Sequence, residues 1–410
     1  FQFAPEHLEY LERDGFERAF LDRLANFSFR GRIDAPEEGD LVFPLEPVLR
    51  VQGGLLEAQI IETLVLNILN FQSLVATKAS RCRRSAGSRG LSEFGLRRAQ
   101  GAGGIWASRA ACVGGFDTTS NCYAGHLYDL PITGTMAHAF VQAFDDELAA
   151  FRSYAESHRS ETVLLLDTYN SLQSGLPNAI RVARELHERG EALKGVRLDS
   201  GDLAYLSKRV RASLDEAGLE EVKIVASNQL DEGVIRSLLE QGAPIDLFGV
   251  GTALAVGQPD AALDGVYKLS RSGDKDRLKS SETMAKATLP GLKMVSRCYD
   301  EDGLLAADVI HLADESVPEK MLHPFQSDRE LDLRTLSSRP LLEPVFQDGQ
   351  RRKAPTPIKA ARSRLRQALE TLPPEYQRFE NPHSYKVGLS PRLWERRAQL
   401  LKDKGKDSQE

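Results

Sequence analysis

Gly195-Val196-Arg197-Leu198-Asp199-Ser200-Gly201-Asp202 is a short apolar run that stops abruptly in polar residues. Behind it Leu203, Leu206, Val210 and Leu214 recur at helical spacing, with Lys208, Arg209, Arg211 and Glu216 on the opposite side. The unit is therefore strand, polar turn, helix. It recurs: Thr162–Leu166 runs into Asp167-Thr168-Tyr169-Asn170, Val222–Ala226 into Ser227-Asn228, and Ile245–Phe248 into Gly249-Val250-Gly251-Thr252. The strands start about 23 to 33 residues apart, the length of a βα unit. Right-handed parallel crossovers place all such strand ends on one edge of a sheet or barrel. Polar groups gathered there mark an active site rather than packing. The expectation is a barrel-like α/β enzyme.

Composition agrees. A chain of 410 residues with 41% hydrophobic and 27% charged residues suits two domains and a tail, and buries a large core. A formal charge of −6 argues against a nucleic-acid binder working through bulk electrostatics. Cys82, Cys112, Cys122 and Cys298 form no C-x-x-C pair and no metal-ligand spacing, which suits a reducing, cytoplasmic setting. No apolar run is expected to reach the roughly 20 residues that span a bilayer, and no membrane partner is expected.

Outside the repeating units the texture differs. Residues 5–24 read as one helical stretch, Phe27–Arg30 and Leu41–Phe43 as strands, and Leu45–Val51 as an extended run. Residues 56–80 form a long helix, apolar nearly all round, expected to be buried between domains or subunits. Past Gly265 the beat breaks. Val266–Leu269, Leu292–Tyr299 and Asp308–Leu312 read as antiparallel strands of a second layer, continuing the sheet begun near the N-terminus. The tail from about Ala354 is basic and helical around 360–372.

Several stretches carry candidate chemistry. Gly134-Thr135-Met136-Ala137-His138-Ala139-Phe140 follows an apolar run, and His138 would open a helix whose free N–H groups attract anions; a capping or core histidine is the alternative. Glu93–Gly101 lies in a segment with Arg81, Arg83, Arg84, Arg89, Arg97 and Arg98, either a solvated basic loop or an arginine clamp for phosphate or carboxylate. Gly249-Val250-Gly251-Thr252 suits close approach of backbone N–H groups to a phosphate, and equally a plain tight turn. Asp167, Asp199 and Asp202 can hold ribose hydroxyls or water-bridged Mg²⁺, or cap the helices that follow. No Walker loop, G-x-S-x-G elbow or H-E-x-x-H is present. These residues together suit a small, multiply phosphorylated, anionic substrate.

Glu93–Gly101, Gly114–Asn121, Gly134–Val141, Leu165–Asn170, Val196–Leu203, Ile224–Glu232 and Phe248–Thr252 occur in an order that closely resembles the nicotinate phosphoribosyltransferase family, from about Phe3 to His383. The resemblance implies a type II phosphoribosyltransferase: an irregular (β/α) TIM-like barrel with an α/β sandwich domain built from both ends of the chain. The expected divisions are 1–84 and 266–345 for the sandwich, 85–265 for the barrel, and 346–410 for a helical tail. It implies nicotinate, phosphoribosyl pyrophosphate and ATP as substrates in NAD salvage, Mg²⁺ as cofactor with ligands unknown, and a homodimer with shared active sites. His138 is then the residue transiently phosphorylated by ATP, with Asp199 beside the reacting ribose or base. Thr135 and Arg197 contact nicotinate, Arg197 through its carboxylate. Glu93, Arg97, Gly134, Asp167, Ser200, Gly201, Ser227 and Asn228 fall among the substrate-binding residues. Gly249, Gly251 and Thr252 hold the 5-phosphate. The family pattern also places a further segment ahead of Phe1, with an aromatic residue that stacks on nicotinate. A nicotinamide-using relative and a non-catalytic or truncated member are the alternatives.

Overall fold

The structure, a computed structural model, describes residues 2–279 and 288–407. Two compact units divide the chain, one of residues 68–264 and one of residues 1–67 with 265–410. The helix Glu62–Ala86 runs unbroken through both the boundary at 67/68 and the expected division at 84.

The central unit is built on a parallel six-stranded sheet. Its strands lie in the order Thr118–Thr119, Gly90–Glu93, Leu247–Val250, Lys223–Ser227, Gly195–Leu198 and Val163–Leu165. Every adjacent pair is parallel. Parallel strands covered on both faces read as near-continuous apolar runs, and Leu164, Leu165, Val196, Leu198, Ile224, Ala226, Phe248 and Val250 are fully buried. Among the described residues the strand pairing runs as one row, and no pairing joins Thr118–Thr119 to Val163–Leu165. A parallel bridge from Thr119 to Ile132 extends the row by one position.

The helix caps decide which strand-end residues remain available. Asp202, not Asp199 or Ser200, caps Leu203–Glu216, its Oδ1 accepting from the Tyr205 N–H at 3.0 Å. Asp231 caps Glu232–Glu240 in the same way, at 2.8 Å from the Val234 N–H. Asp199 and Ser200 are thereby left for other work.

The second unit holds two larger sheets. The N-terminal strands Arg32–Ala35 and Arg50–Gln52 belong with Glu343–Gln347 and Gln350–Arg351 in an antiparallel four-stranded sheet. The hairpin Lys293–Tyr299/Leu305–Leu312 lies in a different, six-stranded sheet, with Ser337–Pro340, Val387–Leu389, Lys320–Leu322 and Glu330–Asp332. The single layer expected from the sequence is therefore two. Residues 27–30, 41–43 and 266–269 are not strands, and the expected helix 5–24 is two helices, Pro5–Arg13 and Arg18–Ala25.

A buried polar cluster ties the hairpin to both ends of its unit. Arg297 and Asp308 face each other across it, Nη2 to Oδ2 at 2.6 Å, and both are at most 1% exposed. Tyr385 donates its hydroxyl to Asp308 Oδ1 at 3.3 Å, and Phe43 stacks on Tyr385 with ring centroids 3.7 Å apart. Glu46 Oε2 lies 3.9 Å from the same guanidinium nitrogen and accepts from the Phe43 N–H at 3.1 Å. Burial, then the neighbouring Asp308, push the Glu46 carboxyl well above the usual carboxylate range.

The long apolar helix is two pieces, Leu55–Ile60 and Glu62–Ala86. Contrary to the composition-based expectation, Leu55–Ala86 contains an 18-residue window of mean hydropathy 1.4, long and apolar enough to cross a membrane by that measure alone. It is also less buried than expected: only 17% of that window is buried, and Leu55 and Leu64 are exposed. The enclosed part begins at Leu74, where the buried Lys78 pairs with Glu232.

Candidate active site

Strand, sharp turn and cap deliver polar side chains to the carboxyl edge of the parallel sheet, where two linked groups form. The first is built on Arg197, the third residue of its strand, with a side chain only 14% exposed. Its Nε donates to Ser227 Oγ at 2.9 Å, Nη1 to Thr135 Oγ1 at 2.7 Å, and Nη2 lies 3.0 Å from Asp199 Oδ1. Ser227 in turn donates to Asp199 Oδ1 at 2.5 Å. Two strand ends and the Gly134–Phe140 stretch thus fix one planar cation. A guanidinium carries five N–H donors. Three are engaged here, which leaves one on each terminal nitrogen.

The second group is His138 with Asp167 and Ser200. His138 is the first residue of the short helix His138–Gln142, and its Nε2 lies 3.3 Å from Asp167 Oδ1. The histidine side chain is 41% exposed while that of Asp167 is 4% exposed, so the carboxylate backs the ring from the protein side. Ser200 donates its hydroxyl to the other carboxylate oxygen, Oδ2. Neither His138 nor Asp199 serves as a helix cap.

Glu93 is placed differently from the pocket-lining role the sequence suggested. It is 1% exposed. Its Oε2 accepts from Thr119 Oγ1 at 2.6 Å and Ser108 Oγ at 2.9 Å, and its Oε1 from the Gly95 N–H. Asn121, the cap of Cys122–Tyr128, donates to Ser108 at 3.2 Å. All the donors are neutral, and together they pin the turn that carries Phe94 and Arg97. Arg97 itself is exposed, in the 3-10 turn Leu96–Arg98.

Phe94 was not singled out by the sequence, yet it borders the first group: the Arg197 guanidinium carbon lies 5.6 Å from its ring centroid. Gly249 makes the room, since a Cβ there would fall 2.5 Å from Phe94 Cδ2 and Cε2. Gly249 is therefore a packing glycine as well as a candidate phosphate contact. Gly249→Ala is expected to displace Phe94 and to destabilise the fold by about 1–3 kcal/mol, the cost of overpacking, which chemical denaturation would show.

The remaining candidates sit at the rim. Gly134 and Thr252 are exposed, Gly251 caps the four-residue helix Thr252–Ala255, and Gly201 follows Ser200 in the turn before Asp202. Asn228 takes φ +82, a left-handed conformation stored at the strand end as in many functional turns. Among the described residues no three His, Cys, Asp or Glu side chains converge as a metal site. Asp167 and Asp199 are each engaged by protein partners, a donor set that would fit magnesium through water-bridged contacts rather than in a closed protein cage.

A fixed arginine fork, a carboxylate-backed histidine and glycine turns on one sheet edge define an α/β enzyme acting on a small anionic substrate. Three family models match the chain: the nicotinate phosphoribosyltransferase N-terminal domain over residues 1–70, the nicotinate phosphoribosyltransferase family over 89–272, and its C-terminal domain over 292–397. The chain belongs to the nicotinate phosphoribosyltransferase family. It is 41% identical to the Bacillus subtilis nicotinate phosphoribosyltransferase, over 98% of this chain and 84% of that one, and 36% identical to the human one, over 88% and 78%. The crystal structure of human nicotinic acid phosphoribosyltransferase superposes with a TM-score of 0.87 at 32% identity, over 98% of this chain and 89% of that one.

Proposed function

We infer that the chain transfers the phosphoribosyl group of phosphoribosyl pyrophosphate to nicotinate, giving nicotinate mononucleotide and pyrophosphate. The observation that carries this reading is the Arg197 fork: two unused N–H groups on a guanidinium fixed by Ser227, Thr135 and Asp199, the donor geometry that pairs with a carboxylate. Phe94 beside it offers an apolar face for the pyridine ring.

In the reaction the C1–O bond to pyrophosphate breaks with both electrons leaving on oxygen. The nicotinate nitrogen lone pair forms the new C1–N bond, and no proton moves. The passage is oxocarbenium-like, so Asp199, held beside Arg197, supplies negative charge toward the ribose while Arg197 anchors the base in line. Gly251 and Thr252 receive the 5-phosphate. Asp199 is the residue that would hold magnesium, through water, and the ion when bound would supply positive charge for the leaving pyrophosphate. The same reading takes the parallel sheet as the wall of an irregular barrel and pairs two chains in a dimer, for which the exposed apolar part of Leu55–Ala86 supplies a surface.

ATP is read as a phosphoryl donor to His138. A ring nitrogen attacks the terminal phosphorus, the P–O bond to ADP breaks, and water later releases phosphate. Asp167 orients the ring and holds its proton. His138→Ala is then expected to keep a basal rate without ATP and to lose ATP stimulation; stimulation equal to the parent's would refute the phosphohistidine. Nicotinate mononucleotide formation with and without ATP measures both.

A further inference from the structure

A cleft of about 380 Å³ is lined in part by Asp167, the carboxylate that also contacts His138. Asp167, Tyr169, Asn170, Gln173, Ser200 and Leu206 are among its lining residues. The phosphoribosyl transfer described above draws on none of this lining, and Asp167 enters only in the ATP step.

Its wall is held firmly. Asn170 Oδ1 caps the π-turn Ser171–Gly175, accepting from the Leu172 and Gln173 N–H groups at 3.2 and 2.8 Å. Ser174 donates to the buried Glu147 at 2.5 Å, which also accepts from Asn178 at 3.0 Å. Gly175 presses on the end of the neighbouring strand segment, where a Cβ would fall 2.0 Å from the Leu166 carbonyl oxygen. Single π-turns occur frequently at functional sites.

The lining also has a distinct chemistry. It contains one carboxylate and no lysine or arginine, so it does not suit a phosphate. What it offers is a 60% exposed aromatic ring on Tyr169, the aliphatic Leu172 and Leu206, and the amides of Asn170 and Gln173. That set suits a flat heteroaromatic base with a sugar attached.

We propose that this cleft seats the nucleoside end of the nucleoside triphosphate that phosphorylates His138. The base lies on Tyr169, the amides of Asn170 and Gln173 meet its polar edge, and the phosphates run past Ser200 toward the histidine. Asp167 is then the partition between the two halves of the donor. The assignment rests on the ATP-coupled reading above.

Calorimetric titration of a non-hydrolysable ATP analogue with magnesium, on the full chain and on Tyr169→Ala and Gln173→Ala, tests it. Tyr169→Ala is expected to weaken binding about 5- to 100-fold, the worth of one base–aromatic stack, and Gln173→Ala by less. Neither changes kcat or KM for nicotinate and phosphoribosyl pyrophosphate in the absence of ATP. Inorganic triphosphate, which has no nucleoside, should bind the parent and Tyr169→Ala equally; a parallel loss of its binding would place the effect at the phosphates and overturn the assignment. Unchanged analogue affinity in both variants overturns the cleft while leaving ATP coupling intact. A parent chain that binds no analogue overturns both.

Discussion

Arg197→Met lowers kcat/KM for nicotinate by about 30-fold to several thousand-fold, because truncating one partner of a desolvated, hydrogen-bonded charge pair costs about 2–5 kcal/mol. The loss has two sources. Nicotinate loses the two guanidinium N–H groups that remain after Ser227, Thr135 and Asp199 take theirs. Asp199, 18% exposed, also loses the cation that balances it. The discriminating measurement is the ratio of kcat/KM for nicotinate to that for nicotinamide, which has no carboxylate. If Arg197 reads the carboxylate, the ratio collapses in Arg197→Met. If both activities fall equally, Arg197 is part of the scaffold and the substrate is recognised elsewhere. Arg197→Lys keeps the charge but not the fork, and should recover only part of the ratio.

Asp308→Ala destabilises the chain by about 3–5 kcal/mol, since it leaves the Arg297 guanidinium buried without its partner at 2.6 Å. Chemical denaturation measures it, and a change below about 1 kcal/mol would show that Glu46 takes over the charge. Glu46 adds a pH dependence of known sign. Its carboxyl is raised in the folded chain by burial and by Asp308, so the stability it contributes is complete below the titration range of an unfolded glutamate. That contribution is lost as pH rises toward the folded value. Glu46→Gln fixes the neutral form and can still accept from the Phe43 N–H. It should match the parent near pH 4 and exceed its thermal midpoint increasingly toward about pH 9. A difference that shrinks with rising pH would contradict the cluster.

Four strands of the parallel sheet were legible because each is a buried apolar run that breaks off in polar residues, as Leu198 does into Asp199, whereas Gly90–Glu93 and Thr118–Thr119 carry no such run and were not read as strands. The polar edge where those strands end was legible for the same reason. The roles along that edge were not. Whether Asp199 or Asp202 caps the next helix turns on which carboxylate meets the Tyr205 N–H, a matter of backbone geometry rather than residue type. Glu93 reads as a site residue beside arginines, yet its partners Ser108 and Thr119 lie 15 and 26 residues away and enclose it. Phe94 sits in the quoted Glu93–Gly101 segment but carries no charge to flag it; the glycine that makes space for it, Gly249, lies on another strand. The two sheets of the second unit were hidden by long-range pairing. Arg32–Ala35 is four residues long and pairs with Glu343–Gln347, so nothing local could assign its sheet.

The central claim is that the anion held at Arg197 is the carboxylate of nicotinate. Product analysis of the full chain, supplied with phosphoribosyl pyrophosphate, magnesium and ATP and offered equal nicotinate and nicotinamide, tests it most directly. Nicotinate mononucleotide should accumulate with stoichiometric pyrophosphate, and nicotinamide should remain. Equal use of both bases, preference for nicotinamide, or no mononucleotide from either would contradict it.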